Sequence, residues 1–221
     1  MAARYRLKAL PWSSHHVIAR MIPARSTVLD VGCSSGYLGT LLAGRDCRLI
    51  GVDNDRPALK QAKGYARTFL LDLEKGLPPL KEKVDVIVFA DVLEHLARPD
   101  QVLKAYARFL KPGGRVIVSI PNVANLYVRL KLLAGQWNYE DVGILDRTHL
   151  RFYTRATARD FLSACGYEIV AEEATPIPLE LVSADFEEPP LSWCYAALRT
   201  ATEAWPSLFA FQFVFSLRRS A

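Results

Sequence analysis

The chain has 221 residues, of which 51% are apolar and 23% charged, with 28 Lys and Arg against 23 Asp and Glu for a formal net charge of +5. That balance excludes disordered, collagenous and fibrous proteins, and the length suits one domain around one large core. The excess charge is confined to residues 1–29, which hold Arg4, Arg6, Lys8, Arg20 and Arg25 and no acid, so the body offers no broad basic face to nucleic acid. From residue 27 onward short apolar runs alternate with helical patterns, the signature of a parallel α/β sheet. Residues 27–31 (TVLDV) read as a first strand ending in a Gly-containing turn, and 37–43 as a helix closed by Gly44. Residues 48–53 (RLIGVD) read as the second strand, with Pro57 opening a helix at its favoured first turn. A shorter third strand covers 67–71, and the nearly unbroken apolar run 84–90 (VDVIVFA) suits a central strand covered on both faces. A helix from 99 to 110 is expected to stop at Lys111-Pro112-Gly113-Gly114, before a fifth strand at 115–120.

Beyond that point the regularity loosens. Val123, Leu126, Tyr127, Leu130 and Leu133 keep helical spacing, whereas 136–153 has no clear period and reads as a long functional loop. Thr154 can cap a helix over 155–164 that Gly166 ends. Two last strands are expected at 167–171 and 208–217, separated by a Pro- and Glu-rich connection with a helical segment near 191–204. The four cysteines, Cys33, Cys47, Cys165 and Cys194, form no C-x-x-C pair, and no His, Cys, Asp or Glu group has metal-ligand spacing. The expectation is therefore a reduced, cytoplasmic protein, and whether it needs a metal is left open by the sequence. No apolar run approaches the ~20 residues of a membrane span. Pro11, Ser13, Ser14, His15 and His16 break the apolar core that a secretory signal needs, and a removable transit peptide would leave little before the first strand.

The chemistry concentrates where strands end. The first strand runs into Asp30-Val31-Gly32-Cys33-Ser34-Ser35-Gly36, a turn that lets a ligand approach the backbone closely. Gly32, Gly36 and Gly39 do not have the G-x-G-x-x-G spacing of a dinucleotide fingerprint, which disfavours a nicotinamide oxidoreductase. Asp53, beside Asn54, ends the second strand, where a carboxylate can accept both hydroxyls of a ribose. Asp72, next to Leu73, lies beyond the third strand, where an acid can accept from an adenine amino group. Acids at three successive strand ends make one connected crevice.

With these residues the chain resembles the class I S-adenosylmethionine-dependent methyltransferases. The carrying segments are VLDVGCSSG, LIGVD, LLDLEKGLP, VDVIVFADVLEHL, LKPGGRVIVSIPN and FAFQFVFSL, spanning about residues 27–218. The resemblance implies a seven-stranded Rossmann-like doubly wound α/β sheet of order 3-2-1-4-5-7-6 with the last strand antiparallel, and S-adenosylmethionine as cofactor. It implies that Asp30, Gly32, Cys33, Ser34 and Gly36 border the methionine part, and that Asp53 and Asn54 border the ribose. By the same match, Asp72 and Leu73 border the adenine, and Ala90 and Asp91 line the site near the sulfonium. Ser34 stands where the family usually has a middle glycine. DVLEHL followed by Pro99, and later GILDRTHLRFYT, looks like the branch of ubiquinone-type O-methyltransferases and methionine-biosynthesis W proteins. On this reading residues 1–221 form one methyltransferase domain, with 1–26 as a basic N-terminal lid and 121–153 and 172–207 as acceptor-side insertions.

Methyl transfer to a hydroxyl needs an in-line nucleophile and benefits from a base near neutral pKa, which histidine supplies. His149, in Asp146-Arg147-Thr148-His149, is the first candidate, and His95, just after the central strand, the second. Arg147 and Arg151 are expected to bind a carboxylate or phosphate on the acceptor, with Tyr127 as a further contact, whereas Arg155 and Arg159 read as a solvated face. The expected acceptor is a small molecule or a glycan- or lipid-linked intermediate of anionic character, methylated at oxygen. The competing reading is a methyltransferase-like regulatory subunit that binds the cofactor and modulates a partner enzyme. The 191–204 helix is open to three roles: a cap on the acceptor pocket, a homodimer contact, or a contact with a membrane surface.

Overall fold

Seven extended runs pair into one sheet, its central strands buried on both faces and its two edge strands partly exposed. The computed structural model describes residues 12–62, 64–178 and 192–220. Its strands are β1 (Thr27–Val31), β2 (Arg48–Asp53), β3 (Tyr65–Leu70), β4 (Val84–Ala90), β5 (Leu110–Pro121), β6 (Tyr167–Thr175) and β7 (Gln212–Arg219). Their order is β3-β2-β1-β4-β5-β7-β6, as expected. The first five strands pair in parallel, and β7 runs antiparallel between β5 and β6. The helices are α1 (Ser14–Met21), α2 (Tyr37–Leu41), α3 (Arg56–Leu59), α4 (Pro99–Tyr106), α5 (Leu126–Leu133), α6 (Arg155–Ala164), α7 (Ser192–Ala204) and α8 (Pro206–Phe209). Helices α1 and α2 cover one face, packing Val17, Ile18 and Leu38 on Val28, Val86 and Val88. Helices α4 and α6 cover the other with Leu103, Tyr106, Ala158 and Leu162. This double cover is why β4 is apolar almost without interruption.

Several boundaries differ from expectation, each for a local reason. The helix expected over 99–110 stops at Tyr106 and tightens into a 3-10 turn at Ala107–Phe109. The Lys111-Pro112-Gly113-Gly114 segment does not end the ordered backbone but bulges within β5. Pairing with β4 jumps from Val84↔Leu110 to Val86↔Arg115, and Gly113 adopts φ +75°. Strand β7 begins four residues later than expected because Pro206 occupies the first turn of α8, where its missing N–H costs nothing. Strand β3 begins at Tyr65, two residues before the expected start. Its register against β2 shifts between Leu49 and Ile50, so that Leu49 pairs with Tyr65 and Ile50 with Arg67. A one-residue slip moves a side chain to the opposite face, so Tyr65 shares the α1–α2 face with Leu49 and Gly51.

Arg155 and Arg159 are not a solvated face. Both guanidinium groups engage the carboxylate of Glu172, whose side chain is only 11% exposed, and so fasten α6 to β6. Asn122 and Asn125, both fully buried, hold the chain after β5 to the segment before β7. Their amides donate to the Ala210 carbonyl at 2.9 and 2.8 Å. Of the expected basic lid, Arg4, Arg6 and Lys8 lie outside the described residues. Arg20 on α1 pairs with Glu173 of β6. Helix α7 packs near the start of the described chain through Tyr195, whose ring lies 5.2 Å from that of Trp12. Among the described residues no helix is long and apolar enough to cross a membrane.

Candidate active site

The carboxyl ends of β1 and β4 open onto a cavity of about 430 Å3, within the range of small-ligand sites. Its floor is Asp30 with Gly32, Cys33 and Ser34 of the turn after β1. Ala90 and Asp91 close the end of β4, and α1 contributes Ser14, His15 and Ile18. The turn is shaped by left-handed backbone: Gly32 has φ +79°, Ser34 φ +46° and Gly36 φ +86°. A Cβ on Gly32 would lie 2.5 Å from Val92 Cγ2, so the close approach of the turn to the chain after β4 depends on glycine there. Asp91 is also left-handed, at φ +55°. Its amide donates to Ser119 Oγ at 2.9 Å, and the Ser119 hydroxyl donates back to its carboxylate, which holds this unusual backbone in place.

The opposite wall comes from two distant segments. The 3-10 turn Leu93–His95 follows β4 directly. The loop after α5 docks on it through backbone bonds: the amides of Leu150 and Arg151 donate to the Glu94 carbonyl at 2.8 and 3.0 Å. This docking brings His149 beside His95, with ring centroids 4.7 Å apart at 68°. His149 Nδ1 lies 2.9 Å from the Ile144 carbonyl, which can only accept, so this nitrogen carries the proton. Thr148 Oγ1 donates to Asp146 Oδ1 at 2.6 Å and therefore accepts from His95 Nδ1, 3.0 Å away. In the neutral form of each imidazole the unprotonated nitrogen is therefore Nε2. Burial, then the neighbouring His95, pushes the His149 pKa down, which keeps that ring neutral.

Glu94 is the residue that sequence reasoning passed over. Its side chain lines the cavity, is 1% exposed, and has neither carboxylate oxygen hydrogen-bonded. Burial first, then repulsion from Asp91, drives its pKa well above the usual carboxylate range. One ligand atom each of Glu94, His95 and His149 lies within 4.8 Å of the others. The sequence shows no metal-ligand spacing, yet the fold brings these three donors together. Spacing along the chain does not show these donors together because the 94–95 turn and the 144–149 loop meet only in the fold.

The remaining expected contacts are distributed unevenly. Asp30, Gly32, Cys33, Ser34, Ala90, Asp91, His95 and His149 line the cavity. Gly36 caps α2 behind the turn. Asp53 lies off the wall, with its carboxylate accepting from the Ser34 and Asp55 amides at 2.8 Å each. Asn54 is exposed beside it. Asp72 pairs with Lys75 at 2.8 Å, and Leu73 borders a separate, smaller cavity. The expected acceptor ligands Arg147, Arg151 and Tyr127 stand outside the cavity. Arg147 pairs with Asp141, Arg151 donates to the Ala97 carbonyl at 2.5 Å, and the Tyr127 hydroxyl donates to Glu140 at 2.7 Å. Tyr37, Val142, Phe211 and Gln212, none of them anticipated, also line the cavity.

A sheet of this order, with a glycine turn after β1 and an acidic cavity at the strand ends, defines the class I S-adenosylmethionine-dependent methyltransferase fold. A methyltransferase-domain family model matches residues 3–172, and the chain belongs to that family. Among curated proteins it is similar to the ubiquinone biosynthesis O-methyltransferase of Aeromonas salmonicida, 27% identical over 136 residues, covering 58% of this chain and 57% of that protein. It is also similar to a probable S-adenosylmethionine-dependent methyltransferase of Mycolicibacterium smegmatis, 31% identical over 162 residues, covering 70% of this chain and 58% of that protein. The chain thus spans somewhat more than half the length of these relatives. Of solved structures, a SAM-dependent methyltransferase from Archaeoglobus fulgidus superimposes with a TM-score of 0.62 at 20% identity, over 93% of this chain and 95% of that one, a likeness of fold. The cavity fits the cofactor of the class. It has the volume, an acidic floor in Asp30 and Asp91 for a molecule with cationic ammonium and sulfonium groups, and apolar sides in Ile18, Leu38 and Phe211.

Proposed function

We propose that this chain transfers a methyl group from S-adenosylmethionine to a hydroxyl of a small-molecule or glycan- or lipid-linked acceptor. The observation that carries this reading is the pair of imidazoles, His95 and His149, each tied through Nδ1, on the wall of the same cavity that holds Asp30 and Asp91. The cofactor supplies an electrophilic methyl on a sulfonium. The chain supplies position, an apolar lining in Ile18, Leu38 and Phe211, and an imidazole to take the hydroxyl proton as the oxygen attacks. His95, the less buried of the two, receives that proton at Nε2 while Thr148 holds its Nδ1. His149 orients the loop and stays neutral.

The test is transfer of isotope-labelled methyl from S-adenosylmethionine to hydroxylated acceptors in a fractionated extract. His95→Gln should lower the transfer rate by about 100-fold or more, the usual contribution of a general base, while leaving the affinity for S-adenosylhomocysteine unchanged. Cofactor binding without transfer to any fraction would overturn the enzymatic reading in favour of a regulatory subunit. A second reading of the same wall is favoured by the unpartnered carboxylate of Glu94. Glu94, His95 and His149 would hold a divalent cation, which would lower the pKa of a bound acceptor hydroxyl. Here Mn2+ or Zn2+ should raise Tm, and Glu94→Gln should abolish the rise. If chelation changes neither Tm nor transfer, the imidazole acts without a metal.

A further inference from the structure

Tyr65 lies outside every segment that the sequence points to, yet among the described residues it is the hydrogen-bond partner of the Asp30 side chain. Its hydroxyl donates to Asp30 Oδ2 at 2.5 Å. The route between them crosses β2 at Gly51, which pairs with Asp30 in the sheet. A Cβ on Gly51 would lie 3.1 Å from Tyr65 Cδ1 and 2.6 Å from Cys33 Sγ, so only glycine leaves the ring its path. A Cβ on Gly36 would come within 3.0 Å of Tyr65 Cε2. The ring is therefore wedged between β2 and the end of the turn, and the register shift in β3 places it on that face. Asp30 itself is 3% exposed and forms part of the cavity floor.

We propose that Tyr65 is a positioning residue for the cofactor, holding Asp30 so that its carboxylate receives the α-ammonium of the methionine part. The inference rests on the cofactor seating over the turn after β1. Burial raises the Asp30 carboxyl to about 7, the Tyr65 hydroxyl works against that rise, and Asp53 at the end of β2 adds to it. Other groups face the same space. Cys33 in the turn is pushed well above its ordinary range by burial and stays a neutral thiol. His15 from α1, Tyr37 from α2, and Asp91, Glu94 and His95 after β4 line the cavity. In the free protein below neutral pH, Asp30 carries its proton. When the ammonium arrives, the O–H bond of Asp30 breaks, the proton leaves to the buffer and the carboxylate remains to pair with the cation.

The experiment is calorimetry of S-adenosylhomocysteine binding to the full chain between pH 5.5 and 8, in buffers of different ionisation enthalpy. The wild type should release close to one proton at pH 6 and almost none at pH 8, and its affinity should fall toward tenfold per pH unit below about 7. Tyr65→Phe removes a donor to the carboxylate and should move the midpoint of this dependence up by about one pH unit, weakening binding at pH 7 roughly five- to tenfold. Asp30→Asn should bind weakly with no proton release. A midpoint that stays put in Tyr65→Phe, even with a lower Tm, would reduce the tyrosine to packing and overturn the proposal. Proton release that persists in Asp30→Asn would belong to the cavity histidines and would overturn it too. Binding that is strong but independent of pH in the wild type sinks this inference alone, whereas no binding at any pH sinks the cofactor reading with it.

Discussion

A carboxyl that is 3% exposed at the end of a central strand is an expensive group to ionise, and Asp30 shows the cost in its pKa of about 7. In the unfolded chain the same group ionises near 4. Its folded pKa is the higher one, so its contribution to stability is full below pH ~4 and is lost as pH rises through about 7. Asp30→Asn should accordingly match the wild type in Tm at pH 4 and exceed it at pH 8, as read by scanning fluorimetry. A lower Tm at pH 8 would mean that the ionised carboxylate is well paired before any ligand arrives. The position of Asp30 was legible in the sequence because a strand ending in Asp-Val-Gly-Cys-Ser-Ser-Gly has a recognisable pattern. Glu94 was not. The same residue type one turn past a strand is ordinarily solvated, and only the docking of the 136–153 loop over it removes the water.

Among the elements, α6 is specified most locally. Thr154 Oγ1 accepts from the Thr157 amide at 3.2 Å and Thr157 Oγ1 accepts from the Thr154 amide at 2.9 Å, a reciprocal cap. Thr154→Ala should lower stability by about 1 kcal/mol in urea titration, with the slope unchanged. The cap could be read from the sequence because it depends on residues three apart. The grip of Arg155 and Arg159 on Glu172 could not, since β6 lies beyond the end of α6. With the two arginine side chains 39% and 47% exposed, that grip contributes about 1 kcal/mol or less after screening. The late start of β7 and the early start of β3 were missed for opposite reasons. A proline that begins a short helix looks like a strand interruption, and a register shift leaves no local mark.

Across the whole molecule, the chain after β5 is joined to the approach to β7 by buried polar ties rather than by apolar packing alone. Asn125 accepts from the Tyr127 amide at 2.9 Å and donates to Ala210, joining the start of α5 to the approach to β7. Asn125→Ala would strip the cap from the Tyr127 amide and one of the two side-chain donors from the buried Ala210 carbonyl, and should cost about 1–2 kcal/mol, measured by equilibrium unfolding. It should also weaken acceptor binding more than cofactor binding, because Phe211 and Gln212 sit on the same tie. Equal loss of both affinities would show that the tie supports the sheet rather than the pocket wall.

The apolar β4 run, the glycine turn and the strand-end acids are short-range patterns, and the family resemblance they carry implied the sheet order that the fold then showed. Which side chains reach the cavity depends on contacts between segments far apart in the chain. The meeting of Glu94 and His95 with His149, the reach of Tyr65 past Gly51 to Asp30, and the diversion of Arg147, Arg151 and Tyr127 to other partners were decided only by tertiary structure. A charge or a hydrogen-bond donor becomes functional through its desolvation and its neighbours, and both are properties of the packed chain.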